Sequence, residues 1–132
     1  MVDPWSSRHS LSAFLGMMGV AHVAASRPFE QLVPRWLPGS AAVWNLAAAS
    51  AELASAGLLA RRRTARTGGW AALATIAVVW VANIQAALDG GTRGVPGWLG
   101  GRVAAWIRVP LQLPLLWWAY RCTGPARSGR SG

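Results

Sequence analysis

A chain of 132 residues that is 53% hydrophobic and only 13% charged is short enough for one domain and too apolar for an ordinary soluble one. Its net charge of +9 is carried entirely by arginine; the arginines lie between or beyond the apolar runs, which argues for membrane topology and against a nucleic-acid surface. Cys122 is the single cysteine, which excludes an internal disulfide, a CxxC redox centre and a multi-cysteine metal site.

The apolar residues gather in four runs, each long enough to cross roughly 30 Å of hydrocarbon at about 1.5 Å per residue. The first is SLSAFLGMMGVAHVAA, residues 10–25, with its start extending toward Trp5. Arg8 ahead of it and the Val-Ala-Ala at its end would suit a cleaved signal sequence, but three more apolar runs follow, so a retained span is the better reading. Residues 26–40, SRPFEQLVPRWLPGS, carry Pro28, Pro34 and Pro38, which forbid one long helix. The expectation is a short interfacial segment anchored by Trp36, with Phe29, Leu32, Val33 and Leu37 on lipid and Arg27, Glu30 and Arg35 in water.

The second run, residues 41–60, is dominated by Ala, Ser and Gly. Small residues such as Ala47, Ala51 and Ser55 let helices approach closely, which predicts a central position in the bundle. RRRTAR then places Arg61, Arg62, Arg63 and Arg66 in one short loop. The third run spans residues 69–89, and a glycine-rich loop leads to the fourth, RVAAWIRVPLQLPLLWWAY, residues 102–120. Residues 121–132 read as a flexible basic tail. The fold class is therefore all-α: one domain over residues 1–120, an integral membrane bundle of four transmembrane helices. With four spans, Arg8, the Arg61–Arg66 cluster and the tail arginines share a side, which the positive-inside rule assigns to the cytoplasm. The location is then the plasma membrane, multi-pass, with both termini cytoplasmic.

Six polar residues interrupt these spans: His22, Asn45, Glu52, Asn83, Arg108 and Gln112. An acid or an arginine near the bilayer centre costs roughly 2.5–3.5 kcal/mol on insertion scales, so these groups should face inward. Asn45 and Glu52 are seven apart, and Arg108 and Gln112 four apart, so each pair shares a helix face. An ion pair between Glu52 and Arg108 is expected, with His22 and Asn83 bonding to either. Pro110 and Pro114 leave the carbonyls of Trp106 and Pro110 without helical donors, which in a membrane need other partners. Such a cluster reads equally as a network fixing helix register or as a ligand-binding pocket. Trp44, Trp80 and Trp106 lie deep enough to wall such a pocket, while the other tryptophans read as boundary belts. The sequence has no nucleotide-binding glycine loop, no HExxH and no nucleophile elbow, and His9 and His22 alone make a poor metal or haem site.

GVAHVAASRPFEQLVPRWLPG, then an acid within ASAELASAGLL, then VWVANIQAALD and RVPLQLPLLWWAY, together resemble the DoxX-like family of small four-helix membrane proteins. The residues that carry the resemblance are His22, Pro28, Phe29, Pro34, Pro38, Glu52, Asn83, Arg108, Pro110 and Gln112. Val81 departs from the pattern, where proline is expected. The resemblance implies a protein linked to quinone-coupled or thiol redox chemistry, to enzyme maturation or to chaperoning, functions that share a fold more than a reaction. On that basis the first expectation is an accessory subunit of a membrane redox system. It has no cofactor evident in its own residues, and its partners are membrane lipid and another membrane protein or redox enzyme. The alternatives are a binding or catalytic pocket for a small apolar ligand such as a quinone or lipid, and a membrane-protein assembly factor.

Overall fold

The computed structural model describes the backbone of residues 4–124 and the side chains of residues 7–124. Among these residues the chain is all-α. The helices are α1 (Pro4–Ala24), α2 (Ser26–Glu30), α3 (Ala41–Ala60), α4 (Ala65–Leu88), α5 (Gly97–Gly100) and α6 (Arg102–Arg121). Two of them, α3 and α4, are long and apolar enough to cross a membrane.

α1 and α3 pack along their whole length. Arg8 Nη1 donates to the Leu59 carbonyl at 2.6 Å, Ser12 Oγ to the Ala56 carbonyl at 2.7 Å, and Asn45 Nδ2 to the His22 carbonyl at 2.9 Å. As the position advances along α1 it recedes along α3, so the pair is antiparallel. The buried stripe of α1 is Arg8, Leu11, Leu15, Gly19 and His22, and that of α3 is Asn45, Ala49, Glu52, Ala56 and Leu59. Both follow the three- and four-residue spacing of one helix face. Of the small-residue face expected through Ala47, Ala51 and Ser55, Ser55 is buried, Ala51 half-buried and Ala47 exposed, and the close approach to α1 runs through Ala49 and Ala56.

α4 begins at Ala65, inside the arginine cluster. It packs between α3 and α6, and α1 meets α6 where Trp118 Nε1 donates to the Ser7 carbonyl at 3.0 Å. Leu11, Leu15, Ala56, Leu59, Ala72, Ile76 and Ala119 fill the half of the bundle nearest the termini. Farther along, the buried stripe of α4 breaks between Ile76 and Asn83, and that of α6 between Ala105 and Ala119. The gap is a cavity.

α6 runs without interruption through Pro110 and Pro114. Trp80 Nε1 donates to the Val109 carbonyl at 2.9 Å, so α4 supports the proline-bearing stretch from the side. The basic tail expected over residues 121–132 falls largely outside the described residues. Its first part is structural, since Arg121 ends α6 and Thr123 is buried.

Candidate functional site: an interior cavity lined by polar side chains

The segment between α1 and α3 makes one wall of the cavity. Pro28 lies in the short α2, and Pro34 and Pro38 keep the following residues out of a helix, so the chain folds back over the bundle. Phe29, Leu32, Val33 and Leu37, expected on lipid, line the cavity, and Phe29 stacks on the His22 ring with centroids 3.9 Å apart. Trp36, Arg27 and Arg35 keep their expected outward places. Ser40 caps α3 by accepting from the Val43 amide at 3.3 Å, and the Trp44 indole ties the segment down through the Pro38 carbonyl at 2.7 Å.

The glycine-rich loop before α6 makes the opposite wall. Gly91 has a φ of +112°, and a Cβ there would stand 2.4 Å from the Gly100 oxygen, so only glycine permits this contact. The Thr92 amide then bonds the Gly100 carbonyl at 2.6 Å. That closure brings Thr92 and Leu99 over Arg108.

The cavity has a volume of about 480 Å³, and all six polar residues that interrupt the apolar runs line it: His22, Asn45, Glu52, Asn83, Arg108 and Gln112. The volume lies within the usual range for small-molecule sites. The pairing inside differs from the sequence expectation. Glu52 and Arg108 do not form an ion pair. Arg108 donates to the Leu99 carbonyl at 3.0 Å and to Thr92 Oγ1 at 3.3 Å. Glu52 Oε2 faces His22 Nε2 at 3.6 Å. The loop intercepts the guanidinium before it reaches the acid.

Asn45 fixes the histidine. Its Nδ2 donates to the His22 carbonyl, so its Oδ1 must be the atom 2.6 Å from His22 Nδ1. An amide oxygen only accepts, so Nδ1 carries a hydrogen. Nε2 is left to face Glu52 Oε2 at 3.6 Å, beyond hydrogen-bond reach. His22 and Glu52 are only 7% and 5% exposed.

Two buried polar atoms have no partner here, Glu52 Oε2 and Arg108 Nε. Asn83, also buried, takes no hydrogen-bond partner among the described residues. Of the three deep tryptophans only Trp44 reaches the cavity; Trp80 is engaged with Val109, and Trp106 is exposed. Thr92 and the Leu99 carbonyl escaped the sequence reading, which placed Phe29 on lipid and not against His22. Only the glycine density of residues 90–101 hints that this loop closes on itself.

A family model described as a domain of unknown function, DUF8561, matches residues 11–123. The chain belongs to the DUF8561 family. The matched region runs from the first buried leucine of α1 to the buried Thr123 after α6, so it includes every residue of the site. No curated protein and no solved structure matches this DUF8561 chain.

Proposed function

We propose that this DUF8561 protein is a four-span plasma-membrane protein of DoxX-like architecture that binds a small apolar ligand in its interior cavity, with both termini cytoplasmic. The observation that carries the reading is the convergence of six costly polar residues, from α1, α3, α4 and α6, on one cavity with apolar walls. A network serving helix register alone would match its buried donors and acceptors to one another, whereas Glu52 Oε2 and Arg108 Nε are left unmatched.

Four spans are supported by more than α3 and α4. α1 and α6 have 21 and 20 residues, each enough to cross the hydrocarbon. They turn Met17, Val20 and Val23, and Val103, Ile107 and Leu111, away from the protein. Large apolar faces of this kind belong against lipid or another protein.

In this reading Arg108 is the electrostatic anchor, the His22–Glu52 pair exchanges a proton with the ligand, and Asn83 and Gln112 orient it. A quinone or a lipid suits such a site. Accessory service to a membrane redox enzyme, or to a protein under assembly, would act through the bound ligand. The test is thermal unfolding of delipidated protein with and without a lipid extract of the producing membrane. The extract should raise the midpoint of the wild type and leave Glu52→Gln and Arg108→Leu unmoved while their helix content persists. An equal rise in all three would refute ligand binding at these residues.

A further inference from the structure

Glu52 and Arg108, which both line the cavity and do not pair with each other, specify the chemistry of the ligand that the proposed pocket holds. A carboxylate accepts hydrogen bonds and a guanidinium only donates them. Water alone is a poor occupant. The cavity of about 480 Å³ is many times the roughly 30 Å³ share of one water, and its remaining walls are aliphatic and aromatic, including Phe14, Leu15, Met18, Phe29 and Ile76.

Charged amphiphiles fit one end only. A carboxylate or phosphate would satisfy Arg108 but bring a second anion beside Glu52. An ammonium would satisfy Glu52 but bring a second cation beside Arg108. A neutral hydroxyl both donates and accepts. We infer that the cavity takes a neutral apolar alcohol or phenol. Its hydroxyl donates to the Glu52 carboxylate, an oxygen, the same or a second one, accepts from the Arg108 guanidinium, and its hydrocarbon body packs on Phe29 and the aliphatic wall. This rests on the pocket reading above and narrows it to one chemical class.

The test uses the full chain in phosphatidylcholine nanodiscs, with 1-decanol, decyl methyl ether, decane, decanoate and decylamine as probes at equal mole fraction in the membrane. Stabilisation is read as the shift in thermal midpoint. Decanol should act with an apparent affinity about tenfold above that of decane, the ratio that one added hydrogen bond of about 1.4 kcal/mol gives. The ether, which cannot donate to Glu52, should fall between them. Filling the cavity by Ala48→Phe, or more mildly by Ala48→Leu, should remove the difference. Equal action of decanol and decane, or stronger action of decanoate or decylamine, overturns the inference but leaves a pocket. No shift with any probe overturns the pocket as well.

Discussion

His22 holds three side chains in register: it bonds Asn45, faces Glu52 and stacks on Phe29. Interhelical hydrogen bonds in membranes couple by about 0.6 kcal/mol on average and up to about 1.7. A His22→Ala/Asn45→Ala double-mutant cycle, read by reversible unfolding in bicelles, should give about 1–1.7 kcal/mol, because the bond between the ring and Asn45 Oδ1 is buried and short; the bond to the His22 carbonyl survives His22→Ala and drops out of the cycle. A Glu52→Leu/Arg108→Leu cycle should give less than about 0.5 kcal/mol, since those groups do not touch. A coupling above about 1 kcal/mol would restore the direct ion pair. Cys122, just past α6, offers a separate check. Burial pushes its thiol pKa up, against the opposing pull of Arg8 and Arg121. The raised value keeps the thiol protonated at neutral pH, and only the thiolate alkylates. Iodoacetamide labelling should be slow at pH 7 and should climb to higher pH before levelling than it does for a free cysteine; a fast reaction at pH 7 would contradict the burial. The six polar residues were legible in the sequence because each is costly in an apolar span. Their pairing was not, because charge alone does not reveal that Thr92 and the Leu99 carbonyl reach Arg108 first.

At the scale of elements, helix spans were readable from apolar run lengths, while facing directions were not. In a soluble protein the periodicity separates core from surface. In this chain both sides of a helix are apolar, so Ala47 and Ala49 look alike in sequence, and so do the outward and cavity sides of residues 29–37. Close approach is where the elements can be tested. A Cβ at Gly69 would stand 2.6 Å from the Cys122 carbonyl carbon and 2.8 Å from the Thr123 nitrogen, both backbone atoms with no room to move. Gly69→Ala should destabilise by roughly 1–3 kcal/mol through overpacking. Gly57, in the exposed stretch of α3, has nothing within 4 Å of its own Cβ position, so Gly57→Ala should be neutral or stabilise by up to about 1 kcal/mol. Equal effects of the two would mean that α4 and the end of α6 do not meet as described.

For the whole molecule, the arrangement puts a packed apolar end beside the termini and, at the other, a cavity with apolar walls into which six polar residues converge. Arg61, Arg62, Arg63, Arg66 and Arg121 are exposed at the packed end, and Arg27, Arg35, Arg93 and Arg102 at the cavity end. In the proposed four-span topology, with positive charge held inside, the cavity would lie in the outer half of the bilayer. Cysteines introduced at Gly39 and Arg93 in a Cys122→Ala background should react with a membrane-impermeant maleimide in intact cells, and one at Arg63 only after permeabilisation; the reverse pattern would invert the topology. The claim on which the functional account stands is that the interior cavity holds a small apolar molecule. Native mass spectrometry of protein released from a mild detergent, comparing wild type with Ala48→Phe, addresses it most directly. The account expects a bound species of small-molecule mass on the wild type and none on the filled variant. Bare protein in both, or the same adduct on both, would contradict it.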